Sequence, residues 1–204
     1  MQMITGLLIA LIGIWLPGQQ PQPAQPQDCK SIRVALLPVV NRSGEKDEKQ
    51  RDLQRAAGDE ALKKEFEARG FTIVDTATIQ KALAELKVDI EDEEQWRREN
   101  LFKVGREVGA DYVIFAAIMH VEQHLRVNLL TSSREGKAQV KFWLLDVKNE
   151  KPMLSSAVRE GKSGGGFFAG LDVGSKRIII AIGNAIRDHL KDFMKPYPMP
   201  KNPK

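Results

Sequence analysis

Three strand-like segments follow Asp111 in quick succession: "YVIFAAIMHVEQH" from Tyr112, "AQVKFWLLDV" from Ala138 and "PMLSSAVREG" from Pro152. Glu135-Gly136-Lys137 marks the turn of the first link, and "KNEK" is the whole of the second. Such links are too short to carry a chain back across a sheet, so the three segments must form an antiparallel meander. The opening of the chain obeys a different rule. "SIRVALLPVV" (31–40) is nearly all apolar, as a strand buried on both faces reads, and it ends at the turn Asn41-Arg42-Ser43-Gly44. The charged segment Glu45–Gly70 then carries Leu53, Ala57, Ala61, Leu62 and Phe66 at helical spacing, with Gly70 as its stop. "FTIVD" is a second short strand. A strand-helix-strand unit makes a right-handed crossover between parallel strands. One chain that must build both kinds of pairing can fold only around a mixed sheet.

The remaining segments supply helices for that sheet. Thr76 or Thr78 can cap "IQKALAELK", in which Ile79, Leu83 and Leu86 share a face. The acidic "EDEE" stands where a helix amino terminus favours negative charge, ahead of Arg97 and Arg98, and reads as structural. That helix is expected to continue through Leu101, Val104 and Val108 to Gly109. The last element, "SKRIIIAIGNAIRDHLKDFM", places Ile178, Ile182, Ala185, Ile186, His189 and Phe193 on one inner face. The expected fold class is α/β: a mixed sheet with an amino-terminal parallel strand-helix-strand unit, an antiparallel three-strand meander and a carboxy-terminal helix packed on the sheet. The folded domain is expected over 30–195, with residues 196–204 ("PYPMPKNPK") forming an extended, disordered tail.

Ahead of the domain the sequence changes character. "MITGLLIALIGIWLPG" is a continuous apolar run without charge, shorter than the roughly 18 residues of a comfortable membrane span. Residues 1–18 read as a signal peptide or membrane anchor, broken by Pro17-Gly18. Residues 19–29 read as a Pro/Gln-rich linker, which does not belong inside a core. Export follows as the expectation, with the domain periplasmic or membrane-tethered and touching a membrane only through its amino-terminal segment. Cys29 is the single cysteine of the 204 residues, so no internal disulfide or cysteine-based metal cluster is available. Its place after the linker raises lipidation. The preceding Pro26-Gln27-Asp28 is the wrong context for that, and an unmodified thiol is expected. Net charge is +4 with both signs interspersed, as in "EKDEKQRD", so no basic stripe for nucleic acid is present.

One stretch raises nucleotide binding: "REGKSGGG", Arg159 to Gly166. A phosphate loop needs Gly-x-x-x-x-Gly-Lys-Ser/Thr between a strand and a helix that starts at once, so that backbone N–H groups converge on the phosphates. Here Ser156 stands in place of the first glycine, and three glycines and two phenylalanines follow Ser163. The motif fails on spacing, residue type and context, leaving a flexible connection to the last helix in which Phe167 and Phe168 pin the chain or meet a partner. His120, Glu122 and His124 alternate on one strand and suggest a metal set. Strand rise puts the outer pair about 13 Å apart, too far for one ion without a bulge. No nucleophile elbow or positioned cysteine is present. Ser43 reads as part of a turn and helix cap, and His189 as a hydrogen-bonded core residue. No catalytic residue, metal or cofactor is expected.

The segments "VALLPVVNRSG", "ALKKEFEARGFTIVDTATIQKAL", "LFKVGREVGADYVIFAAI" and "AQVKFWLLDVKNEKPMLSSAVREGKSGG", in that order, resemble the CsgG-like superfamily. That group includes the curli-secretion lipoprotein, penicillin-binding-protein activator lipoproteins and the TolB amino-terminal domain. The resemblance covers Ile32 to Met194 and implies a bacterial envelope domain acting by protein contacts, with no catalytic residues to transfer. Val121–Lys137 reads as a short hairpin tip, without the insertions of a membrane barrel. The resulting expectation is a non-catalytic assembly or adaptor module whose partners are envelope proteins or further copies of itself. Arg126, Leu129, Arg134, Phe167 and Phe168 are its candidate contact residues. The rival is a small-ligand (nucleotide or phosphate) binding or hydrolytic α/β protein built on Ser43 and the "EGKSGGG" connection.

Overall fold

The computed structural model describes residues 29–128, 131–163, 166–167 and 173–199. Among the described residues, four α-helices flank one mixed sheet. β1 (Arg33–Leu36) and β2 (Val40–Asn41) are two halves of the first apolar segment, and α1 (Glu48–Glu67) follows them. β3 (Thr72–Ile73), α2 (Thr76–Glu85) and α3 (Arg98–Glu107) lead to the meander of β4 (Tyr112–Asn128), β5 (Thr131–Asp146) and β6 (Lys151–Lys162). β7 (Gly166–Phe167) and α4 (Val173–Leu190) complete it. The strand order is β3-β1-β4-β5-β6, with β2 also on β4 and β7 on β5. β1 is parallel to β3 and β4, whereas β4, β5 and β6 are antiparallel. Both pairing rules read from the link lengths hold.

The apolar run 31–40 is one strand interrupted by Pro38, which has no N–H for the ladder. The pairing resumes on both sides of the break, with Leu37 N–H on the Ile114 carbonyl at 2.9 Å and Arg42 N–H on that of Ile118 at 2.7 Å. At the break, Val39 N–H donates to Asp59 Oδ1 of α1 at 2.8 Å. Burial pushes the Asp59 carboxyl up from its ordinary value, and the Val39 bond works against that shift.

Helix starts differ from the expectation in three places. α2 is capped by Asp75, whose carboxylate accepts from Thr78 N–H at 3.2 Å, and not by Thr76 or Thr78. "EDEE" does not lead directly into α3. It leads into a separate 3-10 turn (Glu93–Gln95), capped by Asp92. Two of the "EDEE" carboxylates are ion-paired: Glu91 with Arg55 and Arg42, and Glu93 with Lys141. Nor does Ser43 cap α1. Asp47 does, with Oδ1 3.0 Å from Lys49 N, while Ser43 belongs to the preceding turn.

Alternation along β4 and β5 divides the core by the faces of the sheet. Ile114, Ala116, Ile118, Val140, Phe142 and Leu144 meet α1 and α4 on one side. Val113, Phe115, Ala117, Trp143 and Leu145 meet α2 and α3 on the other. Tyr197, expected in the extended tail from residue 196, instead belongs to the core. Tyr197 is 6% exposed and packs edge-on to Phe71 at 5.0 Å, because Phe66, Phe71, Phe193 and Tyr112 offer it an aromatic cluster. Among the described residues no helix is long and apolar enough to cross a membrane.

α4 lies unusually close to the sheet. A Cβ on Gly161 would stand 2.0 Å from the Ala181 carbonyl oxygen and 2.4 Å from Ala185 N. A Cβ on Gly136 would stand 2.6 Å from the Arg177 carbonyl. These are backbone atoms and cannot turn aside. Gly183, by contrast, has only Arg187 and Ala61 at 3.8 and 3.9 Å. We therefore expect Gly161→Ala to lose about 1–3 kcal/mol or more from overpacking. Gly183→Ala, inside a helix with room for the methyl, is expected to gain about 0.5–1 kcal/mol. Urea unfolding midpoints of the two variants test both signs.

His189 is 2% exposed, stacked on Phe142 with centroids 4.8 Å apart, and its Nε2 lies 2.9 Å from the Val140 carbonyl. Only an N–H can serve a carbonyl, so Nε2 carries the proton, and buried Nδ1 has no partner. Burial lowers the His189 pKa, because a second proton would be placed on Nδ1 with nothing to accept it. The unfolded chain, with an ordinary histidine near 6.5, binds that proton first. Stability from this site is thus full above about pH 7 and falls as the pH drops through about 6.5, by at most ~1.4 kcal/mol per pH unit. His189→Gln, which keeps a donor and cannot titrate, is expected to flatten the decline of urea midpoints between pH 7.5 and 5.5.

Candidate interaction surface

The meander outgrows the rest of the sheet. β2 ends on β4 at Ile118, yet β4 continues to Asn128, paired with β5 at every step from His120↔Gln139 to Asn128↔Thr131. Glu135-Gly136-Lys137, expected in the turn, instead lie within β5, opposite His124, Gln123 and Glu122. The short hairpin tip of the sequence reading is thus a long two-stranded ribbon. Gly136 is strand rather than turn because α4 rests on it, a reason invisible in local sequence.

The glycine-rich stretch becomes part of the same ribbon. Gly161 and Lys162 are the last residues of β6, so they form no loop. Ser163 is fully buried, its N–H donating to the Gly136 carbonyl at 2.9 Å and its Oγ accepting from Gly136 N–H at 2.8 Å. Asn184 of α4 donates from Nδ2 to the Lys162 carbonyl at 2.7 Å. β7 then resumes pairing on β5, Gly166 opposite Arg134 and Phe167 opposite Ser133. The polar groups of Ser163 that a phosphate would use are spent on Gly136, and the Lys162 amine reaches Glu160 at 3.3 Å. Ser163, directly after β6, is therefore held against β5, while residues 164–165 and 168–172 of the expected flexible connection lie outside the described residues.

Three of the five candidate contact residues fall on this ribbon. Arg126 is in β4 opposite Ser133, Arg134 in β5 opposite Leu125, and Phe167 in β7. Leu129 and Phe168 lie outside the described residues, as do residues 1–28. The two stretches nominated separately from sequence are thus hydrogen-bonded neighbours. At the ribbon's base one face carries both charges: Glu122 is opposite Lys137, which is opposite Lys162. His124 Nε2 lies 2.8 Å from the Glu122 carboxylate. A pair of this kind does not make a metal site, and no group of three or more metal-ligating side chains is present among the described residues.

Two features were not visible in the sequence. β6 is an open sheet edge, exposing Val158 (55%) and Met153 (47%). Pro152, the bulge at Ser156 (φ 57°) and Arg159, Glu160 and Lys162 guard that edge against pairing. On the α2–α3 side, Lys141 Nζ lies 5.7 and 5.5 Å from the Trp96 and Trp143 ring centroids and 3.2 Å from Glu93. It closes over two buried indoles. Cys29, raised as a lipidation site, is buried in the α1–α4 core.

No family model matches the chain, and no curated protein does. Solved structures are similar to it at low identity. Lipoprotein GNA1162 from Neisseria meningitidis is 14% identical, with 77% of this chain and 99% of that one covered and a TM-score of 0.46. The LpoB C-terminal domain from Salmonella enterica is 18% identical, with 69% and 87% covered and a TM-score of 0.43. Protein CT253 from Chlamydia trachomatis is 17% identical, with 64% and 72% covered and a TM-score of 0.41. At these identities and scores the likenesses decide neither family nor activity.

Ser163→Ala strips a buried N–H of its acceptor and is expected to cost about 1–3 kcal/mol. Lys162→Ala, at an exposed site, is expected to stay within about 0.5 kcal/mol of the parent. Denaturant titration orders the two. Thermal stabilisation of the parent by a nucleotide, abolished in Lys162→Ala, would instead establish a phosphate site.

Proposed function

We propose that the chain is a non-catalytic domain of the bacterial cell envelope, an assembly or adaptor module that works through protein contacts. The observation that carries this reading is the ribbon. A hairpin that runs well past the parallel strands, with a third strand laid on it, adds backbone surface the core does not need. Elements of that kind, held by a rigid scaffold, are where contacts with partners concentrate. The apolar residues 1–18 and the Pro/Gln linker that follows support export. The resemblance of the domain segments to envelope proteins points the same way. The partner class is envelope protein, or a further copy of this chain.

Cys29 is read as an unmodified thiol. Its side chain is buried in the same core cluster as Phe71 and Val34, a place it would have to leave to carry an acyl chain.

The test is the intact mass and amino-terminal sequence of the chain recovered from cell fractions. Expected is recovery outside the cytoplasm, cleaved after the apolar run or retained on it, with no acyl mass on Cys29. Full-length, unprocessed chain free in the cytosol would overturn the reading.

A further inference from the structure

A cleft of about 600 Å³ opens on the α2–α3 side of the sheet, beside the irregularity in β6. Clefts of roughly 300–1,000 Å³ are of the size that takes a small molecule. Phe142 pairs with Ala157 and Leu144 with Leu154, so Ser155 and Ser156 stand together opposite Trp143. Both serines line the cleft, and Ser156 holds φ 57° there. Trp143 lies at its base and is 2% exposed. The two indoles of the site differ in one respect. Trp96 Nε1 donates to the Ile90 carbonyl at 2.7 Å. Trp143 Nε1 makes no hydrogen bond among the described residues. Nor is it sealed away, since the sealed, unpartnered side-chain atoms of those residues belong to Arg51, His124 and His189. Its N–H therefore opens into the cleft, where it can only donate. Lys141 Nζ lies over both rings, 5.7 and 5.5 Å from their centroids, so the indole faces are closed to stacking and the N–H edge is what the cleft offers.

We infer that this cleft binds a small zwitterion, a free α-amino acid, with its carboxylate on Arg97 and the Trp143 N–H and its ammonium on Glu94. The charges around the cleft set the ligand class. Three cations and three carboxylates line it, so it has no net charge with which to hold a phosphate. Two pairs are closed: Lys141 on Glu93 at 3.2 Å and Arg98 on Glu99 at 3.0 Å. One group of each sign is left. Neither Arg97 nor Glu94 makes an ion pair within 4.0 Å, or a side-chain hydrogen bond, among the described residues. A ligand that covers both must answer both, because a desolvated charge without a partner is costly. A neutral sugar answers neither, and a simple acid answers only Arg97. An α-amino acid carries both charges on one short frame. Its carboxylate can take two parallel N–H bonds from the guanidinium and keep a lone pair for the indole donor. The site does not involve the ribbon, so its failure would leave the adaptor reading standing.

The experiment titrates the chain as recovered from the cell, isotopically labelled at its indole nitrogens, with pools of free α-amino acids of both enantiomers. Expected is a saturable shift of the Trp143 indole signal that exceeds any shift of Trp96, traceable to a member of one pool. Calorimetry with that amino acid, its N-acetyl derivative and its amide then reads the two charges separately. Each derivative lacks one charge and is expected to bind about tenfold or more weakly, as is the free amino acid to Arg97→Gln and to Glu94→Gln. Both positions are exposed, so the unfolding midpoints of the two variants should match the parent's. Trp143→Phe assigns the indole signal. Should it fail to fold, calorimetry on the two surface variants locates the site instead. No shift from any pool at about 10 mM overturns the inference. So does a derivative that binds as tightly as the free amino acid, binding unchanged in both surface variants, or a shift produced by acetate or maltose and not by the pools.

Discussion

The approach of α4 to the sheet is the contact on which the rest depends. A helix normally stands about 10 Å from a sheet because side chains lie between them. Here the spacing is set by hydrogen atoms at Gly136 and Gly161, with Ala138, Ala181 and Ala185 around them. The closeness lets Asn184 reach the Lys162 carbonyl and lets Ser163 settle, buried, against Gly136. Those bonds fix where β6 stops, and so where β7 takes up the pairing on β5. The ribbon inherits its direction from that seam.

The sheet itself is held by a division of labour between its faces. One face uses α1 and α4, and the other uses α2 and α3, so strands β1, β4 and β5 are buried on both sides. The single defect in the parallel half, at Pro38, is repaired by a side chain of α1, since Asp59 takes the Val39 N–H that the ladder cannot. Burying that carboxyl carries a cost that its single backbone bond only partly offsets. The scaffold is therefore rigid where the ribbon is rooted, which is what a contact element needs from the domain beneath it.

A feature that first looked like chemistry turned out to be packing. The Gly-Lys-Ser of "REGKSGGG" serves close helix approach, an exposed cation and a buried hydrogen-bonded hydroxyl, three separate jobs that share three adjacent residues. His189 likewise has every mark of a functional imidazole except access. Its ring is stacked and sealed, and its lowered pKa follows from lacking an acceptor at Nδ1.

Pattern alone determined the class of fold, the parallel opening, the antiparallel meander and the inner face of α4. These follow from apolar period and link length, both local properties of a chain. Helix caps were misplaced by a residue or more because Asp75 and Thr76 offer equally good capping acceptors until the backbone chooses. The end of the folded chain was set too early, since Tyr197 gains its partners only from Phe71 and Phe193, far away in sequence. Glu135-Gly136-Lys137 looked like a turn because glycine usually marks one, and only the helix above it shows why glycine is required in a strand. That the two nominated contact stretches lie side by side, and that Tyr197 docks on Phe71, are facts of pairing and packing. Local sequence cannot carry them, because they depend on residues far apart in the chain, Ser133 with Phe167 and Arg69 with Tyr197.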